Sequence, residues 1–598
     1  MRIFFVIFLF ISFLLLPVPK LGFTENADAL GEGPVHNLRT AINYTSIGAA
    51  IADNLTLSGD IITVDAGVYS EHLLINKSLS LIGESHKNTT IDGGGIGTIV
   101  QVTADGVNIS NFNVENAGSN ALIYSGIIVN ASRYGTFDEL VIQNAGCGIL
   151  LWDSNDCLIE NNTILNVNQG IFALNSNSTD LRDNMVANSL GGIVINSATN
   201  CVMRRNQMIN CTNSFGAGGS VLEQYLNDID TSNTIDGKFI YYLLNLAGSA
   251  INPSTSPNAG SVTVINSTGI IVENLTLIRS GISVALAFTS DSIVRNVSAG
   301  SNDALIGISA FTCTNLRMES NTVTDCFFGI DLTSCSETIL KGNAVSEGFI
   351  GLALRDANNN LIVENNVTNC ERCIDLNGSS NNSIFHNNFL NYETAYLSDS
   401  SANAWDDGVE GNYWSEDLHV DADNDGISDA PNVLWINNVD RFPLMGTFQT
   451  FDLHSFTHGT YTIHLITNSS VLFCFLSVWL TSPNEYFYPG QEFIWLRVTG
   501  DNGTQGFIRI SMLRAALYNS TYYHICLDDQ WPPVNATILS ASNSTYVYLY
   551  FNYTHSEHDI WIIPEFVPMV SLLFVFASSL TLIICRRKRL RWTRLYVI

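Results

Sequence analysis

Gly126-Ile-Ile-Val129, Gly148-Ile-Leu-Leu151, Gly170-Ile-Phe-Ala173 and Gly192-Ile-Val-Ile195 follow one another at a constant step of 22 residues. The step returns in Gly307-Ile-Ser-Ala310, Gly329-Ile-Asp-Leu332, Gly351-Leu-Ala-Leu354 and Cys373-Ile-Asp-Leu376. An asparagine keeps its place in seven of these repeats: Asn162, Asn184, Asn206, Asn321, Asn343, Asn365 and Asn387. Self-similarity at a fixed period of this length marks a stacked solenoid.

Columns on either side of the glycine say which solenoid. One reads Ile127, Ile149, Ile171, Ile193, Ile308, Ile330, Leu352, Ile374; another reads Phe137, Ile159, Leu181, Met203, Met318, Leu340, Ile362, Ile384. A third reads Ile142, Ile164, Val186, Met208, Val323, Val345, Val367, Phe389. Apolar residues alternate with polar ones over short runs, the strand period of two and not the helical 3.6. Three short strands per turn predict an all-β protein, a right-handed parallel β-helix with coils of about 22 residues. The leucine spacing and helical half of leucine-rich repeats are missing. Asparagine at a corner tolerates the left-handed backbone, and its amide is expected to bond the coils above and below.

Of 598 residues, 55 are acidic and 26 basic, a net charge of −29 that argues against nucleic acid as a partner. Only 14% are charged, so this is not a disordered acidic tail. Arg2 and the apolar run Ile3–Leu16 read as a signal peptide. Residues 566–585 are uncharged and long enough to span a bilayer. Arg586, Arg587, Lys588, Arg589, Arg591 and Arg594 follow as a positive-inside stop. The body then lies on the extracellular face of the membrane, single-pass, with a cytoplasmic C-terminus. About twenty Asn-x-Ser/Thr sequons, among them Asn76, Asn130 and Asn519, permit glycosylation. Of the 12 cysteines, Cys147, Cys157, Cys201, Cys211, Cys313, Cys326 and Cys335 fall on repeat positions, where a small side chain stacks as well as it cross-links. Cys370-x-x-Cys373 has no second pair or histidine cluster to complete a zinc site, so packing is the reading.

Before the regular coils, Ser46–Asn54 reads as a short amphipathic helix that caps the open end of the solenoid. Asp60-Ile-Ile-Thr-Val-Asp-Ala-Gly-Val-Tyr69, Lys77-Ser-Leu-Ser-Leu-Ile-Gly83 and Thr90-Ile-Asp-Gly-Gly-Gly95 come next. They resemble the first coils of the pectin-lyase-like superfamily, and particularly of the NosD-type proteins, named as periplasmic copper-binding β-helix proteins. The repeats of that family are also called carbohydrate-binding and sugar-hydrolase (CASH) repeats. Asp230–Tyr242 resembles an insertion common in these chains, and Asn403–Ser415 with Asp440–Met445 resembles their closing segment. The resemblance covers about 400 residues and implies copper as a possible cofactor.

The chain therefore divides into a signal peptide (1–23), a lead-in (24–46), a β-helix (47–446, insertion 214–260), a stalk (447–563), a membrane span (564–585) and a basic tail (586–598). Short alternating strands such as Thr460–Ile466, Phe493–Val498 and Thr545–Tyr553, separated by Pro, Gly and Asn, make the stalk a small β-sandwich. Ile563-Pro-Glu-Phe566 resembles archaeal surface-sorting signals of the PEF type; a plain membrane anchor fits equally.

Several constellations could carry chemistry. Asp421, Asp423, Asp425 and Asp429, with Gly426 at the tight turn and the carbonyl of Ile427, offer oxygens suited to Ca²⁺ and would pin the upper end of the solenoid. Asn432 stands where an EF-hand has its bidentate glutamate. Asp331 and Asp375 share an outward column two coils apart, with Arg355 and Asp356 between them. This is a candidate catalytic group for a polysaccharide lyase or hydrolase acting on acidic glycans. Its alternative is inter-coil ion pairing, which also fits Glu160 with Arg182 and Glu319 with Lys341. Ile128, Leu150, Phe172 and Val194, beside Trp152 and Leu174, form an outward apolar column that needs a cover. The insertion is expected to supply it; alternatively, Trp152 and Phe172 form a sugar platform. The expected function is binding of a surface polysaccharide, glycan or extracellular protein. An enzyme on acidic glycans, or copper delivery to an extracellular metalloenzyme, is the alternative.

Overall fold

The computed structural model describes residues 33–565, except 119–123, 278–279, 398–400, 418–419, 456–458, 479–490, 529 and 531–533. The expected signal peptide, most of the expected membrane span and the basic tail lie outside the described residues. Among the described residues no helix is long and apolar enough to cross a membrane. The chain forms two compact units: residues up to 418 with Pro431–Arg441, and residues 419–430 with those from Phe442 onward.

In the first unit the 22-residue step is the strand register. Phe137 pairs with Ile159, Ile159 with Leu181 and Leu181 with Met203, all in parallel. Farther along, Ile308, Ile330, Leu352 and Ile374 are successive partners in the same way. These side chains are fully buried, so the apolar columns line the interior of a parallel β-helix. The glycine column has a steric cause. A Cβ at Gly329 would stand 2.3 Å from Val345 Cγ1 and 2.5 Å from the carbonyl oxygen of Gly351, and Gly307 and Gly351 meet the same obstacle.

The asparagine column makes the expected ladder. Asn184 and Asn206 each accept the backbone N–H and the amide of the asparagine one turn before, Asn162 and Asn184, at 2.9–3.2 Å, and Asn162 accepts the Leu140 N–H at 3.0 Å. Asn233, out of step at 27 residues, extends it. The backbone expectation is corrected: the left-handed position belongs to the preceding residue, Asn161, Asp183, Arg205, Ser320, Gly342, Glu364 and His386. The ladder position selects asparagine for its amide.

The expected capping helix is Ile47–Ala52, N-capped by Ser46, with the Glu71 carboxylate accepting the N–H groups of Ile47 and Gly48 at 2.9 and 2.7 Å. The other end is closed by Trp405 and Trp414, both buried, whose indole N–H groups donate to Asn438 Oδ1 and Asp440 Oδ2 at 2.9 Å.

The insertion divides the solenoid into two stretches. Lys238–Leu244 runs antiparallel to Thr234–Ile235 and parallel to Ala259–Ile265. The glycine-bearing column thereby resumes in the sheet that carried a different column before, while its earlier sheet stops at Asn213–Gly218. Two interior cores result. Tyr225, Ile229, Ile235, Ile240 and Tyr242 belong to the first. The insertion thus fills the interior; the outward residues Ile128, Leu150 and Phe172 are buried in a cluster with Cys147, Trp152, Leu174 and Val194, to which no described apolar residue of the insertion belongs.

The second unit contains two five-stranded antiparallel sheets around one core. Thr447–Ser455, Gly459–Thr467, Gln505–Leu513, Tyr546–Thr554 and Thr537–Ile538 form one; Ser470–Val478, Glu492–Thr499, His558–Pro564, Tyr523–Leu527 and Val534–Asn535 form the other. This is the expected β-sandwich, with residues 419–430 added from before its expected start.

Candidate functional site

Register brings Asp331 and Asp375 into one outward column, with Ala353 between them on the middle coil. Both carboxylates are nearly withdrawn from water, at 6% and 9% exposure. Arg355 Nη1 bonds Asp331 Oδ1, and Arg372 Nη1 donates to Asp375 Oδ2 at 2.8 Å. The Arg355 guanidinium lies 4.4 Å from the ring centre of Phe328, and that of Arg372 lies 5.4 Å from Phe349, on which Phe327 stacks at 4.6 Å. Burial pushes the Asp331 carboxyl upward, and the charge of Arg355 only partly offsets it.

Asp356 does not join this group. It occupies an exposed left-handed corner (φ +49°), and its Oδ1 lies over Gly378 of the next coil. Strict alternation along the strand conceals Arg372 and the three phenylalanines. Cys373 and Ile374 are both fully buried, so alternation breaks there and Arg372 and Asp375 meet although they are three apart. The two other expected ion pairs also differ. Arg182 pairs with Asp180 of its own strand, Glu319 with Arg317, and Lys341 with Glu364.

Phe172 is 5% exposed, so its ring has no face free for a sugar, whereas Trp152 is half-buried beside it.

The acidic loop folds on itself. Asp421 accepts the N–H groups of Asp425 and Gly426 at 3.0 and 2.9 Å, Asp425 that of Ile427 at 2.8 Å, and Asp429 that of Ala422 at 2.7 Å. Ligand oxygens of Asp421, Asp423 and Asp425 lie within 4.8 Å of one another. Desolvation, then the neighbouring carboxylates, push Asp423 upward; at Asp425 burial does so against the charge of Arg509. Arg509, 2% exposed, donates to the Asp425 carbonyl at 2.9 Å. The loop belongs to the sandwich unit, which corrects its expected place on the solenoid. Asn432 stays with the first unit, where its amide donates to Asp417 at 2.5 Å.

These features define a parallel β-helix protein with a charged and aromatic outer site and a separate β-sandwich. Residues 53–241 and 227–418 match the family described as periplasmic copper-binding protein (NosD), and the chain belongs to that family. It is similar to a cell surface glycoprotein of Methanothermus fervidus, 29% identical over 160 residues, which is 23% of this chain and 27% of that one. The chain therefore matches about a quarter of that relative's length. Among solved structures, the mannuronan C-5 epimerase AlgE6 A-module of Azotobacter vinelandii is 12% identical over 63% of this chain and 96% of its own, with a TM-score of 0.27. The catalytic domain of a GH87 alpha-1,3-glucanase in complex with nigerose is 14% identical over 66% and 71%, with a TM-score of 0.24.

Copper, which the family's description implies, does not suit the described residues. Copper favours imidazole, thiolate and thioether donors. Among the described residues, only Asp421, Asp423 and Asp425 bring three candidate ligands together, all hard oxygen donors. Met203, Met208 and Met318 are fully buried in the core. His386 faces Glu410 and Asp407 at 3.2 and 3.8 Å, again hard oxygen donors.

Proposed function

We propose that this chain is a cell-surface β-helix protein, held by the span 564–585, whose outer site at Asp331, Arg355, Arg372 and Asp375 binds a carbohydrate. The carrying observation is the pairing of each carboxylate with an arginine above a phenylalanine ring. Such a surface offers guanidinium donors to vicinal hydroxyls and the half-buried rings of Phe327 and Phe349 to sugar C–H groups. The name of the Methanothermus fervidus relative, cell surface glycoprotein, supports the location. The enzymatic alternative, a lyase or hydrolase on acidic glycans, is less favoured because both carboxylates are already engaged by guanidinium groups. In the sandwich unit, the loop Asp421–Asp429 is assigned to a structural Ca²⁺ on its converging oxygens. A glycan array probed with the full chain tests the main reading. Binding that Arg372→Ala weakens at least tenfold is expected; retained binding in Arg372→Ala and Arg355→Ala would sink it. Turnover of a polyuronate, lost in Arg355→Ala, would select the enzyme.

A further inference from the structure

The last described residue of the sandwich is held without slack. Glu565 N–H donates to the Tyr522 carbonyl at 2.9 Å, the Glu565 carbonyl accepts from Ser520 Oγ at 3.1 Å, and the Pro564 carbonyl accepts from Gln491 Nε2 at 2.6 Å. Pro564 also closes the strand pair with Tyr523. The uncharged run begins at residue 566, one Cα–Cα step of about 3.8 Å farther on. A span that starts there leaves no linker on which the sandwich could stand away from the lipid.

The surface around this exit suits a bilayer boundary. Tyr522 is 61% exposed although its backbone is fixed to Glu565, and Tyr518 and Asn519 take left-handed backbone in the turn just before it. Tyrosine places an apolar ring and a polar hydroxyl at the depth where headgroups meet acyl chains. Glu565 is the last charged side chain before the run, so no charge has to be buried.

We infer that the sandwich seats directly on the lipid headgroup region through the end formed by Ser520, Tyr522 and Glu565, with the Tyr522 ring in the interface. The inference rests on reading the uncharged run 566–585 as a membrane span. It replaces a stalk with a foot, and fixes the orientation of the second unit against the membrane.

The test is hydroxyl-radical labelling of the full chain reconstituted in phosphatidylcholine vesicles, read by mass spectrometry. Tyr134, also 61% exposed but on the solenoid, is the internal reference. Tyr522 is expected to label several-fold less than Tyr134, and to reach it when a Gly/Ser spacer is inserted after Glu565. Equal labelling without the spacer, in a chain that resists alkaline carbonate extraction, overturns the seating and leaves the anchor standing. Protection that survives the spacer points to a protein or glycan cover and also overturns it. Extraction by carbonate removes the anchor and the seating together.

Discussion

Asn365 donates twice to the side-chain oxygen of Asn387, from its backbone N–H at 3.0 Å and its amide at 2.9 Å. The same amide reaches down to the Leu340 carbonyl at 2.9 Å, and its own oxygen receives both donors of Asn343. One side chain thus satisfies buried polar groups on three successive coils. Asn365→Ala leaves the Asn343 N–H unpaired in a dry interior, at about 1–3 kcal/mol, and takes the amide donor away from the Asn387 oxygen. We expect a marked fall in the melting temperature measured by circular dichroism. Lys87→Ala, in an exposed turn, changes stability by no more than about 0.5 kcal/mol.

A methyl group is expected to be refused at Gly329. The backbone there is not left-handed, so strain in φ plays no part; the obstacles are Val345 Cγ1 and the Gly351 carbonyl of the next coil. Neither can move without opening the inter-coil ladder. Gly329→Ala should cost about 1–3 kcal/mol by overpacking, while Gly218→Ala, which meets nothing within 4 Å, should be tolerated. Equal melting temperatures for the two variants would contradict the steric account.

The period made the coils, their register and the asparagine ladder legible before any coordinates, because identical spacing forces vertical neighbours. Asn233 and the closing Asn438 and Asp440 were not legible, because they join the ladders from insertions with other spacings. The charged site was half legible. Asp331, Arg355 and Asp375 follow from register alone, whereas Arg372 depends on the successive burial of Cys373 and Ile374, which a period of two conceals. The acidic loop was readable as a motif, but its attachment to Arg509, 84 residues away, is tertiary.

Acid should unfold the amino-terminal cap early. The Arg39 guanidinium, foremost, with Asn37 and the Leu57 N–H, holds the Asp60 carboxyl well below its ordinary 3.8. A depressed folded value means stability that is complete above 3.8 and is lost as pH falls toward the folded value. Asp331 runs the other way: burial raises its folded value, so ionisation there opposes folding as pH rises through that value. Asp60→Asn is therefore expected to cost about 1–3 kcal/mol at neutral pH and Asp331→Asn less. The Asp60 penalty should shrink below pH 3.8. Melting curves collected across that range check both signs.

Calcium is expected to stabilise the second unit through the loop that Arg509 holds. Gly426 has φ +86°, and a Cβ there would meet Arg509 Cβ at 3.1 Å, so the turn that gathers Asp421, Asp423 and Asp425 is fixed from both sides. An ion bound only to the folded state adds about 2.7 kcal/mol at a hundredfold excess over its dissociation constant. Full-length protein titrated with CaCl₂ should therefore melt higher, and chelation should reverse the gain. Asp421→Asn removes one charge and keeps an oxygen for only one of the Asp425 and Gly426 N–H groups, so it should melt somewhat lower and respond far less to the ion. Gly426→Ala should melt lower by about 1–3 kcal/mol from backbone strain, whether or not calcium is present. A wild-type melting temperature indifferent to calcium would leave Arg509 alone as the counter-charge of this loop.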